Sequence, residues 1–377
     1  MKKLPLLTGI ALCAFSVSAQ AFETLAKNAL LMDADTGYVL FEKNADIPMP
    51  PASMSKLMTA YMIFDALKNG KITLDTEFIT SENAWRKGGA KSGSSTMFLN
   101  IDERVKVRDL LRGIIVQSGN DACIVAAENM AGTEEAFAEL MTEKAQELGL
   151  KTATFKNATG LPDEKHLMSA KDLAKLAKIL INEFPEYYPI YSEKEFTHNG
   201  IKQGNRNPLL YTMPGADGLK TGHTNQSGYG LTASAKSPDG RRLIMVINGL
   251  DSMKDRSEES KKLMNWGMLG FENKTLVQQN HFVEEIPVWL GEAKTVKAVT
   301  KDGYIATFSK GRSEMPKMTV AYDTPIQAPI QKGEKIGVLK IDTNSGATHD
   351  IDLIAADTVE KVGYFGKIKH IVLSLFQ

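Results

Sequence analysis

The chain has 377 residues, of which 43% are hydrophobic and 24% are charged. These proportions are typical of a folded globular protein and exclude a disordered chain, a collagen-like repeat and a polytopic membrane protein. Lys+Arg and Asp+Glu both number 45, so the formal net charge is zero. Nucleic-acid binding is not expected, because phosphate neutralisation needs a basic surplus. The length favours two domains.

The first 21 residues have the features of an export signal. Lys2 and Lys3 precede an apolar stretch over residues 4–17, and Ala19–Ala21 has the small-x-small pattern of a cleavage site. The alternative is a transmembrane anchor, but an anchor needs about 20 apolar residues. We therefore predict a signal peptide over residues 1–21. Its removal would leave Cys123 as the single thiol, so no internal disulfide is expected.

The next 250 residues predict one mixed domain with a largely antiparallel sheet. Apolar runs predict strands at both ends of this region, and apolar residues at helical spacing predict helices between them. The predicted strands lie at residues 29–32, 38–41, 218–222, 229–235 and 243–247. The predicted helices lie at residues 53–70, 105–115, 121–130, 134–148, 169–182 and 257–267.

The helical patterns end after about residue 276. Short strand-like runs follow at residues 286–290, 296–299, 304–308, 318–322, 335–341 and 349–354, separated by turns that contain glycine. We predict domain boundaries at 22–277 for the mixed domain and 278–358 for a small all-β domain.

The last segment, residues 359–377, carries an amphipathic pattern. One face is apolar, and lysines and a histidine lie nearby; the apolar residues are Phe365, Ile368, Ile371, Val372, Leu375 and Phe376. About 16 residues cannot span a bilayer but can lie in its surface. We predict a helix on the membrane surface, and the alternative is a helix packed on the β domain.

The segment Ser53-Met54-Ser55-Lys56 places a hydroxyl and an amine three residues apart at the start of a predicted helix. This spacing puts both groups on one helix face. A serine becomes a good nucleophile only beside a base, and lysine can act as that base only when it is neutral. The alternative is a serine helix cap followed by a solvated lysine. No other serine in the chain has lysine three residues later.

Two further motifs follow in order. Ser118-Gly119-Asn120 lies in a break between helices, where a hydroxyl can relay a proton and a carboxamide can orient a substrate amide. Lys220-Thr221-Gly222 begins a predicted strand, and a glycine on an edge strand lets a ligand backbone approach closely. Each motif alone also fits a simple turn or loop. Similar patterns occur at residues 81–83 and 91–93, within 12 residues of each other, too close together to supply opposite walls of a cleft.

Together the three motifs resemble the signature of serine β-lactamases and penicillin-binding proteins. The segments at residues 51–59, 117–123 and 217–224 resemble those of D-alanyl-D-alanine carboxypeptidases, the low-molecular-mass penicillin-binding proteins of the type 5 and 6 group. The resemblance covers essentially the whole mature chain. It implies an α+β fold, with a β-lactamase/transpeptidase-like catalytic domain (an antiparallel sheet with a helical subdomain), a small all-β domain and a C-terminal amphipathic helix.

The resemblance also implies the catalytic roles. Ser53 would be the acylated nucleophile, and Lys56 would be the base for acylation. Ser118 would pass the proton to the leaving D-alanine. The backbone N–H groups of Ser53 and His223 would form the oxyanion hole.

The remaining site residues would bind substrate. Asn120 would hold the substrate amide, and Lys220 and Thr221 would face the substrate carboxylate. Arg206 and Arg256 match basic positions near the site of this family, although an arginine is more often a surface ion-pair partner. No cofactor is implied, and the six histidines show no metal-binding spacing.

The implied activity is removal of the terminal D-alanine from peptidoglycan stem pentapeptides through an acyl-enzyme. β-Lactams would acylate the same serine, and the protein would lie on the periplasmic side of the inner membrane. A β-lactamase is one alternative, for which Glu164 in Glu164-Lys165-His166-Leu167 is a candidate base; Met168 stands where the β-lactamase motif has asparagine. A non-catalytic envelope protein that binds penicillin is the other.

Overall fold

The structure is a computed structural model that describes residues 22–311, 315–342 and 348–363. The predicted signal peptide and the apolar face of the predicted membrane helix lie outside the described residues and remain predictions. Helices make up the middle of the first domain and close its end: α1 Lys56–Lys68, α2 Glu82–Gly88, α3 Val107–Ile115, α4 Asn120–Ala131, α5 Glu134–Glu147, α6 Ala170–Glu183, α7 Leu209–Thr212 and α8 Met253–Gly270.

The strands of this domain come from both ends of its sequence. They are β1 Asn28–Asp33, β2 Val39–Lys43, β3 Glu77–Ile79, β4 Arg104–Lys106, β5 Glu195–His198, β6 Ile201–Gly204, β7 Ala216–Thr224, β8 Gly228–Lys236 and β9 Arg242–Leu250. Five of them form an antiparallel sheet in the order β2-β1-β9-β8-β7, while β3 pairs with β4 and β5 with β6. The predicted antiparallel sheet is confirmed, and β7 is its edge strand.

Both faces of the central strand β9 are buried because the strand is apolar at successive positions. Leu243 and Met245 pack with Leu263 of α8 on one face of the sheet. Ile244 and Val246 belong to the cluster on the other face, with α6 and α1. Burial of each such side chain stabilises the fold by about 1.5–3 kcal/mol. The sheet is therefore a rigid support for its edge strand β7.

The second domain contains only strands in its described part. They are β10 Phe271–Val277, β11 Phe282–Trp289, β12 Thr295–Thr300, β13 Tyr304–Ser309, β14 Lys317–Ala321, β15 Ile326–Gln327, β16 Lys335–Asp342 and β17 Thr348–Ala355. Six of them form one sheet around a separate apolar core, and β10 pairs with β13. The predicted all-β domain is confirmed.

A buried polar cluster connects the two domains. The Asp33 carboxylate lies in the turn after β1, where it accepts hydrogen bonds from the backbone N–H groups of Asp35 and Thr36. Its other oxygen accepts from Asn273 Nδ2 on β10 at 3.0 Å and faces Arg241 at 3.5 Å. Because Asp33 is fully buried, this shared carboxylate fixes β10 against the first domain.

Candidate active site

Ser53 lies in a single 3₁₀ turn, Ala52–Ser55, that leads directly into α1. The residue before it, Ala52, has φ of +49°, a left-handed conformation that costs free energy for a residue with a side chain. Ser53 is half-buried, whereas both of its neighbours are buried. The turn therefore presents one hydroxyl at the surface of the domain, in a conformation that its surroundings must maintain.

The Lys56 amine makes three hydrogen bonds in a buried site. Its Nζ donates to Ser53 Oγ at 2.9 Å, to Asn120 Oδ1 at 2.7 Å and to the carbonyl oxygen of Thr159 at 2.6 Å. The carbonyl oxygens of Asn120 and Thr159 can only accept hydrogen bonds, whereas the Ser53 hydroxyl can also donate one. A neutral amine has two N–H bonds and one lone pair, so in the neutral form both N–H groups remain on Asn120 and Thr159. The lone pair then points at the Ser53 hydroxyl.

Burial favours this neutral form. Lys56 is 1% exposed. Loss of solvation, together with the positive charge of Arg206, lowers its pKa from 10.5 to about 8, and Asp121 and Glu134 oppose the shift. At pH 7 the neutral fraction is then about a tenth, about 300-fold more than in a solvated lysine. Lys56 is thus suited to act as the base that the Ser-x-x-Lys motif requires.

We expect acylation to require neutral Lys56 and therefore to accelerate with pH. The rate of Ser53 acylation by a fluorescent penicillin should rise about tenfold per pH unit below pH 7 and level off above about pH 9, because the pKa of Lys56 is about 8. Stopped-flow measurement between pH 5.5 and 9.5, with circular dichroism as a control for folding, would check this. A rate that is independent of pH across this range would contradict it.

Lys220 and Ser118 form the second polar pair. Lys220 on β7 is 3% exposed, and its Nζ donates to Ser118 Oγ at 2.9 Å and to the Thr221 carbonyl oxygen at 3.1 Å. Ser118 has φ of +60° in the break between α3 and α4. Burial, with the charges of Lys56 and Arg206, holds the pKa of Lys220 well below its usual range. The two amines therefore lie within electrostatic reach of each other, as the order of the motifs predicts.

Gly222 allows β7 to contact the Ser53 turn. A Cβ atom built on Gly222 would lie 2.7 Å from the carbonyl oxygen of Pro51 and 3.3 Å from the Ala52 side chain. The glycine therefore permits a close approach inside the protein, which the sequence interpretation, limited to ligand approach, did not include. This contact joins the strand of Lys220 and Thr221 to the turn that carries the nucleophile.

We expect Gly222→Ala to slow acylation by at least about tenfold, because the added methyl group pushes β7 away from the Pro51 carbonyl. The acylation rate with fluorescent penicillin measures the effect. Gly270→Ala is the matched control, since a Cβ atom at Gly270 meets nothing within 4 Å. Equal rates for the two variants would show that the close approach is not required.

Asn120 and Arg206 are both held by one serine-containing loop. Asn120 Nδ2 donates to Ser94 Oγ at 2.9 Å, and Arg206 donates to Ser95 Oγ. The buried Asp121 carboxylate fixes this loop by accepting the backbone N–H of Met97 at 2.8 Å. Both ends of the Asn120 amide are therefore occupied, by Lys56 and by Ser94.

Arg256 and His223 both pack against Tyr229. The His223 ring is exposed and stacks on Tyr229 with centroids 3.9 Å apart, and the Arg256 guanidinium lies 5.7 Å from the Tyr229 centroid. Arg256 is 7% exposed, and burial lowers its pKa to about 10. Its Nε finds no hydrogen-bond partner among the described residues.

Four basic side chains lie in the site. Lys56, Arg206 and Arg256 each lower the pKa of Lys220, which places them within electrostatic reach of that amine. The arrangement suits a ligand with a carboxylate, which would offset this repulsion. Within the described ranges, no group of three or more His, Cys, Asp or Glu side chains is placed to hold a metal ion.

The structure brings the ten predicted site residues to one region, but sequence reasoning missed several of their partners. Thr159 acts through its backbone carbonyl, which no side-chain pattern reveals. Ser94 and Ser95 directly follow the similar pattern at residues 91–93, and no role is predicted for them from the sequence. The two similar patterns at residues 81–83 and 91–93 have other contacts: Ser81 caps α2, and Lys91 lies over the Trp85 ring. Glu164 is exposed, and we find no support for a catalytic role.

Comparison with known proteins divides the chain into the same two parts as the structure does. The family model for D-alanyl-D-alanine carboxypeptidase matches residues 14–252, and that for the C-terminal domain of penicillin-binding protein 5 matches residues 271–361. The chain is 39% identical over 369 residues to D-alanyl-D-alanine carboxypeptidase DacA of Haemophilus influenzae, covering 95% of this chain and 93% of that protein. It is 38% identical over 394 residues to DacA of Escherichia coli, covering 100% and 96%.

Solved structures agree. Penicillin-binding protein 5 from Haemophilus influenzae superposes with a TM-score of 0.80 at 38% identity, covering 90% of this chain and 98% of that chain. Fold and site thus define an active-serine hydrolase of the penicillin-binding class. The chain belongs to the D-alanyl-D-alanine carboxypeptidase family, in the group of penicillin-binding proteins 5 and 6.

The predicted family, α+β fold class and carboxypeptidase activity are therefore confirmed. Peptidoglycan as substrate and β-lactams as inhibitors fit this family. None of the helices in residues 22–311, 315–342 and 348–363 has the length and apolar character needed to cross a bilayer.

Proposed function

We propose that Ser53 is the nucleophile that forms the acyl-enzyme and that Lys56 is its base. One observation carries this proposal: Lys56 Nζ lies 2.9 Å from Ser53 Oγ while its other two hydrogen bonds end on Asn120 and Thr159. This geometry leaves the lone pair of the neutral amine no acceptable partner except the serine proton.

Acylation then proceeds by transfer of the Ser53 proton, attack on the substrate carbonyl and loss of the terminal D-alanine. Neutral Lys56 takes the Ser53 proton as Oγ attacks the carbonyl carbon of the penultimate D-alanine. The negative charge that develops on the carbonyl oxygen is stabilised by the backbone N–H groups of Ser53 and His223, the latter on β7. When the intermediate collapses, the C–N bond to the terminal D-alanine breaks and the ester to Ser53 remains.

The departing amine needs a proton. Ser118 is suited to deliver it because its hydroxyl accepts a hydrogen bond from Lys220 at 2.9 Å, which leaves its own proton free to be donated. Lys220 then returns a proton to Ser118, and the proton that Lys56 took from Ser53 restores Lys220, which lies within electrostatic reach of Lys56. Water then hydrolyses the ester and releases the shortened peptide.

The substrate carboxylate is proposed to bind among Lys220, Thr221, Arg206 and Arg256. The unpartnered Nε of Arg256 and the repulsion that Lys220 receives from Lys56, Arg206 and Arg256 support this assignment. The Asn120 side chain would bind the substrate amide by exchanging Ser94 for the ligand. A β-lactam presents the same carboxylate and a strained amide, so it would acylate Ser53 by the same route.

The setting of this activity is also a proposal. The basic start, apolar stretch and Ala19–Ala21 site support export, and the amphipathic pattern of residues 359–377 supports attachment to the periplasmic face of the inner membrane. The physiological substrate would then be the stem pentapeptide of peptidoglycan. The predicted domain boundary at residue 277 would move to residue 270, because β10 Phe271–Val277 pairs with β13 of the all-β domain.

Mass spectrometry tests the proposal directly. The purified chain is incubated with a synthetic pentapeptide that ends in D-Ala-D-Ala, and separately with penicillin, followed by proteolysis and mapping of the adduct. We expect loss of one D-alanine per peptide and an adduct on Ser53. An adduct on another residue would overturn the assigned nucleophile. Rapid turnover of penicillin without an adduct would instead favour the β-lactamase alternative.

A further inference from the structure

A second chain of buried polar groups contacts the Ser53 turn. Ser55 is fully buried and His166 is 2% exposed. Ser55 Oγ donates to the carbonyl oxygen of Ala52 at 2.8 Å and lies 2.8 Å from His166 Nε2. His166 Nδ1 is 3.2 Å from the backbone nitrogen of Lys156. None of these groups has a role in the chemistry proposed above.

The chain of hydrogen bonds has one direction. The backbone N–H of Lys156 can only donate, so His166 Nδ1 must be its acceptor and carries no proton. Burial lowers the pKa of His166 to about 4, so the ring is neutral near pH 7 and its proton is on Nε2. His166 Nε2 therefore donates to Ser55 Oγ, and the Ser55 proton goes to the Ala52 carbonyl.

The end of this chain is the strained point of the active site. Ala52 has φ of +49° and immediately precedes the nucleophile. Its carbonyl oxygen also contacts Gly160 so closely that a Cβ atom on Gly160 would lie 1.9 Å away. The same loop provides the Thr159 carbonyl that accepts from Lys56. One loop thus contacts both the nucleophile turn and the base.

We propose that His166 and Ser55 are positioning residues, which hold the Ala52–Ser53 peptide in its left-handed conformation and thereby set the distance between Ser53 Oγ and Lys56 Nζ. This inference rests on the proposed role of Ser53 and adds a specific support to it. Apolar side chains could fill the same volume at lower desolvation cost, so the polar pair is explained by the carbonyl group that it fixes.

Two variants test the proposal. Ser55→Ala removes both hydrogen bonds at Oγ, and His166→Phe keeps a ring against Phe155, which His166 now contacts edge-on at 5.4 Å. Acylation by a fluorescent penicillin is measured over a range of concentrations, to separate the first-order acylation rate from the dissociation constant of the non-covalent complex. We expect each variant to lower the acylation rate about 10- to 100-fold and to leave the dissociation constant within about twofold.

The double variant adds a readout that simple loss of packing would not give. Because Ser55 and His166 act through one carbonyl, Ser55→Ala/His166→Phe should be no slower than the slower single variant, within about twofold. Ser192→Ala is the matched control: Ser192 also donates to the carbonyl three residues earlier in a 3₁₀ turn, at 2.7 Å, but this hydrogen bond is exposed. Its acylation rate should match that of the wild type.

Three outcomes would overturn the inference: acylation rates within twofold of wild type, a defect confined to the dissociation constant, or multiplicative losses in the double variant. Wild-type chain in the same experiment separates this result from failure of the proposed function. If penicillin does not label wild-type Ser53, the nucleophile is wrong. If wild type is labelled normally and the variants equal it, only the positioning role is wrong.

Discussion

Replacing Ser53 by alanine is expected to abolish catalysis, with D-alanine release falling by at least about 10⁴-fold and no covalent penicillin adduct. The reason is chemical, since no acyl-enzyme forms without Oγ, and removal of an attacking serine costs factors of this size in other serine hydrolases. The rate is measured as D-alanine released from an acylated tripeptide that ends in D-Ala-D-Ala.

The fold should survive this change. Among the residues that the structure describes, Ser53 Oγ accepts one hydrogen bond, from Lys56, and the side chain is half-buried. The expected loss in free energy of unfolding is therefore about 1 kcal/mol. Non-covalent binding of the same peptide, measured by calorimetry, should be close to that of the wild type. Penicillin labelling that persists in Ser53→Ala would contradict the assignment.

Most of the fold was predictable because its periodic segments are long. The apolar spacing after Ser53 predicted α1, and the apolar runs predicted the strands of the main sheet within a few residues. Short elements were missed. The seven-residue helix α2 gives too few turns for a period to emerge, and β4 takes Val105, which the pattern had assigned to the following helix.

The start of one helix was predicted wrongly although the sequence contains a helix-start pattern for it. The helix predicted at residues 257–267 begins at Met253, because Ser252 caps it by accepting the backbone N–H of Asp255. Ser252 followed by an acidic residue three positions later is a helix-start pattern. Attention to this pattern would have placed Arg256 in the first turn of α8, where the structure has it.

The functional side chains of the site could be predicted from the sequence, but the backbone groups that contact them could not. Ser53, Lys56 and Lys220 carry distinctive functional groups at fixed spacings. The Thr159 carbonyl and the left-handed Ala52 depend on which loop packs behind the turn, and that is decided by tertiary contacts between residues about 100 positions apart. A backbone oxygen is available at every residue, so sequence alone cannot select the one that accepts from Lys56.

The surroundings of Lys56 explain how this lysine can act as a base although it is buried. A buried cation without partners would destabilise the fold, whereas three acceptors around Lys56 satisfy its protonated form. Burial lowers the pKa enough that about a tenth of molecules hold the neutral form at pH 7. The acceptors thus support the resting state, and desolvation supplies the reactive one.

Replacing Lys56 by methionine is expected to lower the acylation rate about 10³- to 10⁴-fold, equal to about 4–5.5 kcal/mol of activation free energy. Methionine has a side chain of similar length but no amine, so Ser53 loses its base. The acylation rate should then no longer rise with pH around the Lys56 pKa of about 8. Stopped-flow acylation at several pH values measures both effects. Lys68→Met is the matched control, because Lys68 lies at the exposed end of the same helix. A Lys56→Met variant that retains the wild-type pH dependence would assign the base to another group.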